Sequence, residues 1–372
     1  MSTARPAPPA ALRGVPVPPR LQGVDVARAL ALLGMMATHV GGIAETVDWA
    51  DPTTWAAVAH GRSSTLFAVL AGVSIGLTSG RTRPPGPPVI GRIRGRLAVR
   101  AVVVVAVGLL LMALDTPVYV ILPTYGVLFL LVIPVLRVRA RWLLLLAAAC
   151  AVASPFVALA TAPSFVGAGM WEVQLGLVYP VVTFLAYVLV GLAVARAGVL
   201  EARRTQVVAV ASGAVVAVVA YVVGTVVAPV PEDALFAFPG VPFAGDADTP
   251  GEAWAQFLLS PRDHSSSVVD VVGTAGVAVA VVALCALVFD GHGRAAARVA
   301  APLAAVGSMP LTVYAGHLVV IAMLPELPDQ ASAWLWFAVG SVLFALLWRR
   351  FLGRGPLERV VARLTRLVPD PR

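Results

Sequence analysis

RALALLGMMATHV, Arg28–Val40, decides what kind of protein this is. Apart from Arg28, Thr38 and His39 every position is apolar or glycine, so a helix built from it has no polar face to offer water. Such a segment is stable inside a large core or a bilayer, and the rest of the chain selects the bilayer. Of 372 residues 59% are hydrophobic and 12% charged, with a mean hydropathy of +0.89; a soluble domain carries about a quarter charged residues. Cys150 and Cys285 both fall inside apolar runs and read as packing residues rather than a disulfide.

Working outward from that segment, a hydrocarbon core of roughly 30 Å takes about 20 helical residues. Stretches of that length predict about ten membrane helices, at 21–43, 62–80, 97–115, 118–136, 141–161, 175–195, 205–228, 268–289, 301–324 and 332–349. The expected fold class is an all-α, polytopic helix bundle: one transmembrane domain over 21–350, a disordered tail over 1–20 rich in Pro, Ala and Arg, and a basic tail over 351–372.

Orientation follows from arginine. All 27 basic residues are Arg, and with both termini in the cytosol every one except Arg62 and Arg262 falls on the cytosolic side. That distribution obeys the positive-inside rule. It also accounts for the net charge of +8 through topology and attraction to anionic lipid, so no nucleic-acid partner is implied.

Arg28 and His39 are eleven residues apart, which at about 100° per residue is three turns plus roughly 20°, so they share one helix face about 16 Å apart. Arg28 then lies toward the cytosol and His39 in the outer half. Asp25, one turn earlier, can pair with Arg28 at i,i+3. An arginine there can also snorkel to the headgroups, and a membrane histidine can simply bond a neighbouring helix. Two ionisable groups on one face point instead to a cavity with chemistry in it. His60 precedes the second helix, His264 the eighth, and His317 lies in the outer half of the ninth. No HxxxH, HExxH or CxxC spacing accompanies them, so a proton-handling cluster is expected rather than a metal site.

RLQGVDVARALALLGMMATH, with R-x10-H and Asp25 just ahead, resembles the first-helix signature of the acyltransferase 3 family. HGRSSTLFAVLAGVSIGL resembles the second helix of bacterial relatives of heparan-α-glucosaminide N-acetyltransferase. HSSSVVDVVGTAGVAVAVVALC and AAVGSMPLTVYAGHLVVIAM resemble the membrane domain of unknown function that often accompanies it. The resemblance implies transfer of an acyl group, acetyl first, from cytosolic acyl-CoA to a hydroxyl or amine of an extracytoplasmic acceptor such as a glycan, in the plasma membrane. It implies His39 as the catalytic histidine; His60, in the loop after the first helix, is the second candidate and His317 the third. Arg28, Arg96 and Arg100 would hold the donor through charge-assisted hydrogen bonds, with Asp25, Asp270, Tyr314 and His264 orienting groups. The neutral imidazole would take the acceptor's proton directly or form an acyl-histidine. The external segment 229–267 is the expected acceptor-side lid.

Two other classes fit the same polar core: a proton-coupled transporter or lipid flippase, and a noncatalytic membrane partner or sensor. The sequence is equally compatible with a monomer and a homo-oligomer.

Overall fold

The computed structural model describes residues 21–44, 47–48, 50–87, 89–161, 169–228, 249–324, 326 and 330–369. The expected tail 1–20 and the first part of the expected lid, 229–248, lie outside the described residues. Everything regular among the described residues is helical: α1 (Gln22–Val40), α2 (Arg62–Thr78), α3 (Val89–Met112), α4 (Leu122–Val132), α5 (Ala140–Thr161), α6 (Met170–Val173), α7 (Val181–Arg196), α8 (Arg203–Val227), α9 (Pro250–Leu259), α10 (Val268–Phe289), α11 (Gly293–Gly307), α12 (Pro310–Met323), α13 (Ala331–Phe351) and α14 (Pro356–Thr365).

Each expected span contains a helix, but not each is a span by itself. Six helices among the described residues, α1, α3, α5, α8, α10 and α13, are long and apolar enough to cross a membrane, and α11 with α12 forms a seventh if a 62° bend is allowed. The bend has a local cause. Met309 precedes Pro310 and is driven out of the helical region to φ −134°, ψ 55°. Near 175–195 the regular helix begins late, at Val181, because residues 174–178 form a π-turn and Pro180 caps α7. In the other direction, α3 starts at Val89, ahead of the expected 97, because GRIRGR continues the helix with good helix-forming arginines.

Depth sorts the helices into layers. In α1 67% of the apolar window is buried, against 28% in α3, 22% in α8 and 17% in α13. Large apolar side chains such as Leu145, Val218 and Trp336 stand exposed on the outer helices, as lipid contact requires. The inner layer is α1, α2, α7 and α10, with α2 packed on α7, α10 on α8 and α1 on α11. Small residues bring these backbones together. A Cβ on Gly191 would lie 1.9 Å from the Val69 carbonyl oxygen, and one on Gly72 would lie 2.0 Å from that of Val188.

The segment expected as a basic C-terminal tail contains α14, which packs on α3 and α12.

Candidate functional site

Asp25, buried at 2% exposure, accepts a 2.6 Å bond from Arg28 Nη1, and Arg28 Nη2 donates to Ser74 Oγ at 2.8 Å. Arg28 is therefore turned sideways against α2 by a buried carboxylate and a hydroxyl, not extended toward a headgroup. It lines a cavity of about 360 Å³ at the N-terminal end of α1 and the C-terminal end of α2. Arg100 lines the same cavity, its guanidinium 5.5 Å from the Phe129 ring centroid. Most other walls are apolar, including Leu70, Val104, Tyr125 and Leu311, which suits a long, largely apolar arm with a charged end.

At the opposite ends of α1 and α2 the chemistry changes. His39 Nδ1 lies 3.1 Å from His317 Nε2, with the rings stacked at 8° and their centroids 5.3 Å apart. Only one of the facing nitrogens can carry a proton, so the pair fixes one tautomer against the other. Tyr314, one turn before His317 on α12, packs edge-on against it at 5.1 Å. His39, His60 and His264 all line a second cavity of about 70 Å³, together with Ser63, Ser64, Tyr179 and Tyr314. His60 Nε2 is buried there with no hydrogen-bond partner among the described residues. Burial, partly opposed by the Asp263 carboxylate, pushes the His264 imidazole below its usual value.

Among the described residues Tyr314 is the one that lines both cavities. Its hydroxyl accepts from Ile121 N at 3.3 Å, and beside it Tyr125 donates to the Ser64 carbonyl at 3.3 Å. The partition between the two chambers is thus a pair of buried phenols, each tethered to backbone.

Of the residues singled out from sequence, His39, His60, His264 and Tyr314 meet at the second cavity, with His317 behind His39; Arg28 and Arg100 meet at the first, with Asp25 held against Arg28. Arg96 is exposed on α3 and lines neither cavity. Asp270 accepts from Thr274 Oγ1 at 3.1 Å, and its backbone N–H donates to the helix cap, Ser267 Oγ, at 3.0 Å. It lines a small recess with His264, away from His39. The described part of the expected lid supplies α9 and the turn that carries His264. Sequence reasoning missed Ser74, Tyr125, Tyr179 and Glu358. Ser74 and the tyrosines look like ordinary helix-bonding residues, and Glu358 sits in a run read as a basic tail.

Residues 20–226 match the family model described as heparan-alpha-glucosaminide N-acetyltransferase, catalytic, and residues 249–368 match that of a protein family of unknown function, DUF418. No curated protein matches the chain.

Proposed function

The chain belongs to the heparan-alpha-glucosaminide N-acetyltransferase catalytic family, and from that premise we propose that it moves an acyl group, acetyl first, from cytosolic acyl-CoA to a hydroxyl or amine of an extracytoplasmic acceptor such as a glycan. Its setting in this reading is the plasma membrane, with both termini in the cytosol. The observation that carries the proposal is the pair of unlike cavities at opposite ends of α1 and α2, back to back at Tyr314. An apolar chamber with Arg28 and Arg100 suits a pantetheine arm whose phosphates sit near the arginine-rich cytosolic face. The histidine chamber suits the reacting tip of an acceptor.

In the reaction the acceptor oxygen or nitrogen bonds to the thioester carbonyl carbon, the carbon–sulfur bond breaks, and the sulfur leaves as the coenzyme thiolate, which takes back the acceptor's proton from the base to become the thiol. The acceptor's proton must go to a base. His39 fits that role because Nδ1 is engaged by His317, which aligns the ring and leaves Nε2 as the other nitrogen. His60 is the alternative base in the same chamber. A carrier passes one solute through both chambers, whereas linings this different suit two substrates that meet at a partition.

The test is acetyl transfer to a soluble acceptor mixture by the purified protein, beside acetyl-CoA binding. His39→Ala should lower transfer on the order of 10²-fold or more while acetyl-CoA binding stays near that of the wild type. Full transfer by His39→Ala with loss in His60→Ala moves the base to His60. Absence of any thermal stabilisation of the wild type by acetyl-CoA rejects the enzyme reading.

A further inference from the structure

The cytosolic-end cavity is not closed by the region that matches the catalytic family alone. Glu358, Val361 and Ala362 of α14 form part of its wall, opposite residues of α2 and α3. No residue of α14 is fully buried, although Leu357 packs against the core and Gly355, just before the helix, sits close to Met309 and Thr312. The polar attachment of α14 to α12 is concentrated in one side chain. Glu358 Oε1 accepts from the backbone N–H groups of Leu311 at 2.8 Å and Thr312 at 3.1 Å, and Oε2 accepts from Thr312 Oγ1 at 2.5 Å. Those N–H groups belong to the first turn of α12, left without intrahelical partners by the break at Pro310, where a negative charge is favoured. Thr312 Oγ1 in turn accepts from Leu357 N at 3.2 Å. The connection from α13 passes through Gly353 at φ +80°, exposed and with open space around it. This is a conformation that glycine alone adopts freely, and it lets the chain turn out of α13 toward α14.

We infer that α14 is a hinged lid over the cytosolic-end cavity, latched to the first turn of α12 by the Glu358 carboxylate. The lid rests on the acyl-donor reading for its occupant: an anionic donor entering beside Arg100 competes with the carboxylate for the same surroundings, so opening and donor binding are coupled. The mechanism of coupling is local. One charge on a short helix carries most of the polar contact, and its release uncovers the cavity without disturbing α1 or α2.

The experiment uses the full chain in nanodiscs with Cys150 and Cys285 replaced by alanine and a reporter, Leu70→Cys, whose parent residue lines the cavity and is 1% exposed. Maleimide labelling of the reporter should be slow in this background. Glu358→Gln keeps the shape and one acceptor but loses the charge, and should speed labelling on the order of tenfold. Thr312→Val, which removes the hydroxyl alone, should give a smaller rise. Acetyl-CoA should slow labelling in every background and should bind Glu358→Gln more tightly than the parent. If Glu358→Gln fails to fold, as judged by size exclusion and thermal unfolding, Thr312→Val decides. Unchanged labelling in folded variants, or weaker acetyl-CoA binding to folded Glu358→Gln, overturns the lid. Faster labelling without protection by acetyl-CoA leaves the lid standing and removes the acyl donor as its occupant.

Discussion

Arg28 shows how one residue separates a headgroup anchor from a ligand-holding group. A snorkelling arginine needs only a long stem and a positive end, which lysine also has. Here the guanidinium forks to two fixed partners, Asp25 on its own helix and Ser74 on α2, and an ammonium cannot span both in one plane. Arg28→Lys is therefore expected to weaken acetyl-CoA binding by roughly tenfold or more, the scale of one lost charge-assisted bond, while the ligand-free protein stays folded. Equal affinities by calorimetry would leave Arg28 as a structural tie. Its place on one face with His39 was legible from sequence, because helical periodicity fixes angles along a single element. Its partner Ser74 was not, since that contact depends on how α2 docks, 46 positions away. Glu358 was hidden for the same reason: it caps a helix start that exists only because Pro310 breaks the chain.

At the scale of the element, length alone misleads. Residues 62–80 and 175–195 read as full spans, yet α2 and α7 have 17 and 16 residues. They lie in the inner layer, where neighbouring helices rather than lipid cover their ends, so they need not match the bilayer thickness. Close packing fixes them instead. Gly72 and Gly191 each face the carbonyl of the opposing helix, and an added methyl has nowhere to go. Gly191→Ala should destabilise the protein by about 1–3 kcal/mol, the range for overpacking a tight contact. Gly340 in the outer helix α13 has nothing within 4 Å of its would-be Cβ. Gly340→Ala should be neutral, or stabilising by roughly 0.5–1 kcal/mol because alanine orders a helix more cheaply than glycine. Thermal unfolding of both variants in one detergent gives the comparison, and a similar midpoint for the two would mean that α2 and α7 can separate.

For the whole molecule, the two chambers acquire direction only from the orientation of the chain in the bilayer. The geometry places the arginine chamber and the histidine chamber at opposite ends of α1 and α2, and that relation holds whichever end faces out. Arginine then sets the sign: the loop 79–88 and the start of α3 carry Arg81, Arg83, Arg92, Arg94 and Arg96, whereas the loop before α2 carries Asp48 and Asp51. A membrane potential and anionic inner leaflet both favour the arginines inside. Two exposed positions on these loops, Ala56 and Gly86, can report the orientation in cysteine-free protein. An impermeant maleimide applied to intact cells should label Ala56→Cys at once and Gly86→Cys only after permeabilisation. In the proposed reaction that pattern would put acyl-CoA, made in the cytosol, at the mouth lined by Arg28 and Arg100, and would leave His39 and His60 to meet an acceptor from outside. The reverse pattern would put the histidines on the cytosolic side, where an acyl donor and an intracellular acceptor could meet without crossing the membrane, and transfer across the bilayer would have to be abandoned while the arrangement of the two chambers stood.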